Sequence, residues 1–138
     1  TKSNDDGVAR TLELMEKPMR GVVFTNLVDF DSLYGHRRDP QGYARALETF
    51  DRAVPELKAR TGDDALLVIT ADHGNDPIHH GTDHTREYVP LIIYNPRLGG
   101  RPLGTRPTFA DLAATIAELF GVTRPPHGTS FLADLGLA

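Results

Sequence analysis

Residues 65–76 read Ala-Leu-Leu-Val-Ile-Thr-Ala-Asp-His-Gly-Asn-Asp, and this stretch decides the predicted fold class. Its first half, residues 65–70, is a short apolar run of the kind found in a strand buried on both faces. Two similar runs lie before and after it along the chain, at residues 21–28 and 89–94. We therefore predict three buried strands.

The apolar periodicity outside these runs indicates helices. Ser3 or Asn4 can cap a first helix, which Pro18 ends. Asp39 followed by Pro40 is typical of the N-terminus of a second helix, because proline is favoured at the first helical position. The apolar residues of this second helix recur at spacings of four and three: Tyr43, Leu47, Phe50, Val54 and Leu57.

Two further features complete the predicted order of elements. Pro55 lies inside the second helix, so we expect a kink or a restart there. The segment from Thr108 to Asp111 resembles a capping box at the start of a last helix, and Gly121 offers a C-terminal stop. Strands that alternate with helices predict an α/β fold, with a doubly wound, mainly parallel sheet and helices on both faces.

The composition excludes several classes of function. With 138 residues the chain has the length of one ordinary domain, and 39% hydrophobic and 25% charged residues suit a globular protein. The formal net charge is −4 and no dense Lys/Arg patch occurs, so we expect no nucleic-acid partner. No apolar run approaches the roughly 18 residues of a membrane span, so we expect a soluble, cytoplasmic protein without a membrane partner.

Acidic and imidazole side chains follow the predicted strands. In parallel sheets, ligands bind beyond the carboxyl ends of the strands, which directs attention to residues 29–36 and 71–76. A third cluster occupies residues 79–88, on the loop into the last strand, so that five of the six histidines, all but His127, fall at one predicted edge. The chain has no Cys, so a metal must be held by His, Asp or Glu. Mixed carboxylate and imidazole ligands favour Mn, Zn or Fe.

Plainer interpretations of single residues remain open at this point. Asp and Gly at strand ends are common turn residues, and a lone Asp-His pair is more often a cap than a ligand. His79 and His80 could replace His84 as ligands on spacing alone, and Asp29 fits either a turn or a hydrogen-bond partner of a ligand. Arg37 and Arg38 could attract phosphate, although a solvated or ion-paired role is more usual. Packing does not require acidic and imidazole groups at several strand ends, which favours a metal site.

Three stretches of the sequence resemble a known family. They are Asp-Phe-Asp-Ser-Leu-Tyr-Gly-His-Arg-Arg-Asp at residues 29–39, Ala-Asp-His-Gly-Asn-Asp-Pro at 71–77, and Gly-Thr-Asp-His-Thr-Arg-Glu-Tyr-Val-Pro at 81–90. Together they closely resemble the phosphopentomutase family of the alkaline phosphatase superfamily. The similarity extends from about Thr1 to the C-terminus. It implies that residues 1–138 are the C-terminal portion of an alkaline phosphatase-like core.

The resemblance implies two divalent metal ions, with Mn(II) favoured, and assigns ligands to both. Asp31, His36 and His84 would hold one ion. Asp72 and His73 would contribute to the other. In the family the second ion also takes an aspartate near the N-terminus and the threonine that carries the phosphoryl group, and no stretch of this chain matches either segment. The family's cap domain, which grips the sugar phosphate, has no match here either.

The implied activity is the interconversion of ribose or deoxyribose 1-phosphate and 5-phosphate through a phosphothreonine enzyme. We accordingly expect a pentose phosphate substrate, an N-terminal core segment and a cap domain as the missing partners, and no activity of the chain alone. Two alternatives remain. One is another superfamily member, either a cofactor-independent phosphoglycerate mutase or a metal-dependent phosphohydrolase. The other is a catalytically dead metal-binding fragment.

Overall fold

The computed structural model describes residues 1–137 and divides the chain into two compact units, Thr1–Pro96 and the segment from Arg97 onward. The first unit contains helices α1 (Asn4–Met15) and α2 (Pro40–Arg60) and strands β1 (Leu67–Thr70) and β2 (Leu91–Tyr94). The second contains helices α3 (Ala110–Phe120) and α4 (Leu132–Leu135). The mixture of helices and strands agrees with an α/β fold class.

The first helix begins at a cap that the sequence predicts, Ser3. The Ser3 hydroxyl accepts a hydrogen bond from the backbone N–H of Asp6 at 3.2 Å, and so satisfies one of the free donors of the first turn. Asp5 and Asp6 place negative charge at the positive end of the helix dipole. The helix ends at Met15, shortly before Pro18.

Helix α2 also begins where the sequence predicts. The carboxylate of Asp39 accepts a hydrogen bond from the N–H of Gly42 at 2.8 Å, and Pro40 occupies the first helical position. The helix runs on to Arg60 without a break at Pro55. Tertiary contacts support its C-terminal half, because the Arg60 guanidinium donates to the carbonyl of Leu12 in α1 at 3.2 Å.

The sheet differs from the prediction. The apolar runs at residues 65–70 and 89–94 do contain strands, but β1 and β2 pair antiparallel, in register from Leu67 opposite Tyr94 to Thr70 opposite Leu91. The expected doubly wound, mainly parallel sheet is absent from residues 1–137. A bridge between Gly74 and Thr85 explains the direction of β2, because the connecting segment folds back on itself. A parallel return usually crosses over through a helix that packs on the sheet, and residues 71–90 form no helix.

The strand predicted at residues 21–28 is wrong, because this segment is irregular. It lies along α1, where the hydroxyls of Thr25 and Thr11 share a hydrogen bond of 2.6 Å. A strand forms when its backbone N–H and C=O groups are hydrogen-bonded to a neighbouring strand. In the described part of the chain the sheet contains only β1 and β2, which pair with each other and not with residues 21–28. Phe24 is 87% exposed, so the apolar run is not buried on both faces either.

The second unit is organised around α3, whose C-terminus confirms its prediction. Gly121 adopts a left-handed φ of 63°, and the N–H of Val122 donates back to the carbonyl of Ala117, as in a Schellman cap. The N-terminus differs from a capping box. The Thr108 hydroxyl accepts from the N–H of Ala110, but the Asp111 carboxylate does not reach back to the cap.

The Asp111 carboxylate is buried and satisfied by the loops around α3. It accepts hydrogen bonds from the backbone N–H of Thr129 and from the Arg106 guanidinium, each at 2.9 Å. The hydrogen bond from Thr129 and the charge of Arg106 hold the pKa of Asp111 below its usual value, against the opposing effect of burial. The ion pair therefore joins three segments of this unit.

A lowered pKa in the folded state makes this unit sensitive to acid. The contribution of Asp111 to stability is fully present above its unfolded pKa of about 3.9, and it is lost as the pH falls through the lower folded value. We expect Asp111→Asn to lower the melting temperature by about 5 °C or more at pH 7, and the difference from wild type to shrink below about pH 4. Circular dichroism at pH 7 and pH 3 measures both. The control is Asp134→Asn, because this second aspartate faces the same guanidinium at 3.9 Å from an exposed position. A constant difference at both pH values would contradict the assignment.

The length and apolarity of a helix determine whether it could span a membrane. Among residues 1–137, no helix is both long enough and apolar enough to cross a lipid bilayer.

Candidate metal centre

The first two candidate ligands share one unusual turn. Phe30–Gly35 forms a π-helical turn, in which the N–H of His36 donates to the carbonyl of Asp31 at 2.9 Å. In an α-helix, residues five apart would point about 140° away from each other. A π-helical turn instead has its hydrogen bonds between residues five apart, so the side chains of Asp31 and His36 lie on the same side of it. The ring of Phe30 packs against Tyr43 of α2 with 5.6 Å between centroids, which anchors the turn.

Three side chains converge at the end of this turn. The Nε2 atoms of His36 and His84 lie 3.1 Å apart; that of His36 is 3.2 Å from Asp31 Oδ2, and that of His84 is 3.2 Å from Asp31 Oδ1. Ligand atoms about 2.1 Å from one transition-metal ion lie roughly 3 Å from each other. The two imidazole nitrogens and the carboxylate group of Asp31 therefore lie close enough together to share one ion. Within residues 1–137 no other group of three such side chains has its ligand atoms within 4.8 Å.

The connecting segment between β1 and β2 delivers the third ligand. Because Gly74 and Thr85 form a bridge, the chain reverses direction between them. This reversal stacks the ring of His84 on that of His73, with 3.6 Å between centroids and 20° between planes. Two histidines eleven positions apart in sequence thus become direct neighbours.

Backbone carbonyls orient two of the histidine rings. The Nδ1–H of His36 donates to the carbonyl of Thr82, and the Nδ1–H of His73 donates to the carbonyl of Gly74 at 3.0 Å. A neutral imidazole that donates from Nδ1 carries its lone pair on Nε2. Such hydrogen bonds are the usual partners of metal-binding histidines, since they set both the tautomer and the ring orientation.

Asp72 and His73, which the resemblance assigns to a second ion, lie beside the first three ligands. The Nε2 atom of His73 is 4.0 Å from Asp31 Oδ1 and 3.7 Å from Asp72 Oδ1. The side chain of Asp72 is 78% exposed. The structure therefore brings all five sequence-predicted ligands into one neighbourhood, with Asp72 at its solvent-facing edge.

The remaining candidates have other partners. His79 and His80 lie against each other, with 4.5 Å between ring centroids, and are not part of the donor cluster. Asp29 accepts a hydrogen bond from the backbone N–H of Asn4 at 2.7 Å, and its own N–H donates to the Asn4 side chain. Asp29 therefore secures the start of α1 and does not support a ligand.

Asn75 is a site residue whose role the sequence did not reveal. Its side-chain amide donates to Asp31 Oδ1 at 3.0 Å, which fixes the orientation of the carboxylate. The same amide lies so close to Gly35 that a Cβ at that position would collide with it. Glycine at residue 35, in the middle of the Tyr-Gly-His motif, is the sequence signal of this close approach.

The negative charge of Asp31 reaches the neighbouring helix. Burial raises the pKa of Tyr43 above its ordinary value, and the Asp31 carboxylate adds to that increase. The phenol of Tyr43 is therefore harder to deprotonate than that of a free tyrosine.

A model of the metalloenzyme superfamily matches residues 1–124 of the sequence. The chain therefore belongs to the metalloenzyme superfamily, which includes phosphopentomutases, phosphoglycerate mutases and alkaline phosphatase-like enzymes. Membership points to an enzyme of metal-dependent phosphoryl transfer or hydrolysis. A carboxylate with two imidazoles is a suitable ligand set for a divalent ion in such an enzyme.

Proposed function

We propose that this chain is the metal-binding part of a phosphopentomutase, which interconverts ribose or deoxyribose 1-phosphate and 5-phosphate. The observation that carries the proposal is the convergence of Asp31, His36 and His84, with ligand atoms 3.1–3.2 Å apart, in a member of the metalloenzyme superfamily. The motifs at residues 29–39 and 81–90 support a pentose phosphate as the substrate, because they resemble the phosphopentomutase family in particular.

The proposed roles of the residues follow from their positions. Asp31, His36 and His84 hold one divalent ion, and Asp72 and His73 contribute to a second. Bound in this way, Mn(II) ions would neutralise phosphate oxygens and lower the pKa of an attacking hydroxyl. The chain itself presents Nε2 lone pairs from His36 and His73, because the Nδ1–H group of each ring is used by a backbone carbonyl.

The proposal requires groups from outside these 138 residues. A phosphomutase needs a nucleophile that stores the phosphoryl group between its two transfers. We assign that role to a threonine in a preceding N-terminal core segment, which would also supply a further aspartate ligand. A cap domain would bind the sugar phosphate. Thr70, Thr82 and Thr85 lie near the site, but the family gives none of them the nucleophile role.

Phosphorus NMR tests the proposed reaction, because it separates the 1-phosphate, the 5-phosphate and inorganic phosphate in one sample. With Mn(II), the protein that includes its N-terminal segment should convert ribose 1-phosphate into ribose 5-phosphate. The 138-residue chain should show no turnover. Release of inorganic phosphate as the main product would support a hydrolase, and conversion of 3-phosphoglycerate would support a phosphoglycerate mutase. Pentose phosphate turnover by the 138-residue chain would show that the nucleophile has been misassigned.

A further inference from the structure

Arg38 has the least favourable backbone conformation in the neighbourhood of the metal centre. Its φ is 54°, and it is the only residue other than glycine with a positive φ in the described part of the chain. A side chain with a Cβ rarely adopts this left-handed conformation. Such a conformation persists where surrounding contacts over-determine it, and these positions concentrate at functional sites.

The contacts that hold Arg38 are made by its guanidinium group. Nε donates to the carbonyl of Gly81, and Nη2 donates to the carbonyl of Asp83. Nη1 donates at 2.7 Å to both the carbonyl of Asp76 and the side-chain oxygen of Asn75. The four acceptors come from both ends of residues 75–83. A planar guanidinium can reach acceptors in several fixed directions, which a lysine ammonium cannot reproduce.

Each acceptor adjoins a group that positions a metal ligand. Asn75 accepts from Arg38 through its oxygen and donates through its nitrogen to Asp31 Oδ1, so Arg38 fixes the orientation of this amide. The carbonyls of Gly81 and Asp83 lie on either side of Thr82, whose own carbonyl orients His36. Asp83 also directly precedes His84.

We propose that Arg38 is the positioning residue of the metal centre. It holds residues 75–83 against the π-helical turn, so that Asp31, His36 and His84 are already assembled before an ion binds. Preorganisation of this kind raises affinity because the ion does not have to order the loop. The inference rests on the metal centre of the proposed function, but it does not depend on the pentose phosphate reaction.

The sharpest test replaces Arg38 by glycine. Arg38→Gly removes the guanidinium and its four hydrogen bonds but suits the positive φ, so the metal-free protein should stay folded, with a melting temperature lowered by a few degrees at most. Mn(II) affinity, measured from the EPR signal of the free ion and by calorimetry, should fall about 10- to 100-fold. Millimolar methylguanidinium should restore part of the lost affinity by occupying the vacated position.

A pair of lysine variants separates geometry from charge. Arg38→Lys keeps the charge but loses the planar fork, and its Mn(II) affinity should fall about 10-fold. Arg37→Lys is the matched control and should bind like wild type, because Arg37 donates only to Ser32 of its own turn among the hydrogen bonds of residues 1–137.

Three results would overturn the assignment. Wild-type Mn(II) affinity in Arg38→Gly would show that Arg38 does not position the ligands. Unfolding of metal-free Arg38→Gly at room temperature, or a lowered Mn(II) affinity that methylguanidinium does not restore, would show that the role of Arg38 is only structural. Absence of Mn(II) binding by the wild-type protein would overturn the metal centre itself, and the proposed function with it.

Discussion

Asp31→Asn should lower the Mn(II) affinity of the protein by more than about 100-fold, because it removes the only carboxylate of the three converging ligands. The asparagine has nearly the same shape, so it can keep a hydrogen bond with Asn75. It cannot supply the negative charge that offsets a divalent ion between two imidazoles. Calorimetric titration with Mn(II) measures the effect.

A metal-independent measurement accompanies this variant. The Asp31 carboxylate is the second cause of the raised pKa of Tyr43, after burial. In Asp31→Asn the pKa of Tyr43 should therefore decrease but stay above its ordinary value of 10, since the burial remains. An NMR titration that follows the assigned ring signals of Tyr43, one of four tyrosines, detects this change without any metal present.

Asp64→Asn is the matched control for Asp31→Asn. It makes the same charge change at an exposed position before β1, and it should leave both Mn(II) affinity and the pKa of Tyr43 unchanged. Mn(II) affinity within a few-fold of wild type in Asp31→Asn would mean that the ion binds elsewhere.

Under the proposed function, His84→Ala should lower the rate of pentose phosphate conversion by about 1,000-fold in a protein that also carries the proposed N-terminal segment. His84 would hold an ion that stabilises transition-state charge, and such electrostatic stabilisation is usually the largest catalytic contribution. Asp72→Ala should have a comparable effect, through the second proposed ion. Phosphorus NMR of ribose 1-phosphate conversion gives the rates.

His80→Ala is the control for His84→Ala. It removes an imidazole from the same connecting segment, but His80 lies against His79 and outside the donor cluster. Its rate should match wild type, and circular dichroism should show unchanged helices in all three variants. A rate for His84→Ala close to that of His80→Ala would contradict the ligand assignment.

Local sequence signals predicted the helices well because the determinants are local. The hydroxyl of Ser3, the carboxylate of Asp39 and the left-handed Gly121 act within a turn of the residues they cap. These three capping signals can therefore be recognised in the sequence without knowing how the rest of the chain folds. Residue types and spacing pointed only to acidic and imidazole clusters at residues 29–36, 71–76 and 79–88. The resemblance to a known family then selected Asp31, His36, Asp72, His73 and His84 from them, since spacing alone left His79 and His80 as alternatives to His84.

Pairing between distant segments was not visible there. Apolar residues at 21–28 and 65–70 look equally strand-like, but only the second run finds a partner, because a strand exists through hydrogen bonds to another strand. The antiparallel direction of β2 likewise depends on how residues 71–90 fold back. Periodicity carries no information about that direction.

The sequence was therefore sufficient to place the caps of the helices, which depend on residue type and short spacing, and to propose the metal ligands through the resemblance of its motifs to a known family. Only the tertiary structure placed the ligand atoms 3.1–3.2 Å apart, through a π-helical turn and a reversed connecting segment. Only the tertiary structure, too, revealed the contacts behind the role proposed for Arg38, because its four acceptors lie 37 to 45 positions away along the chain. Hydrogen bonds over such separations form when the chain has folded, and no local pattern encodes them.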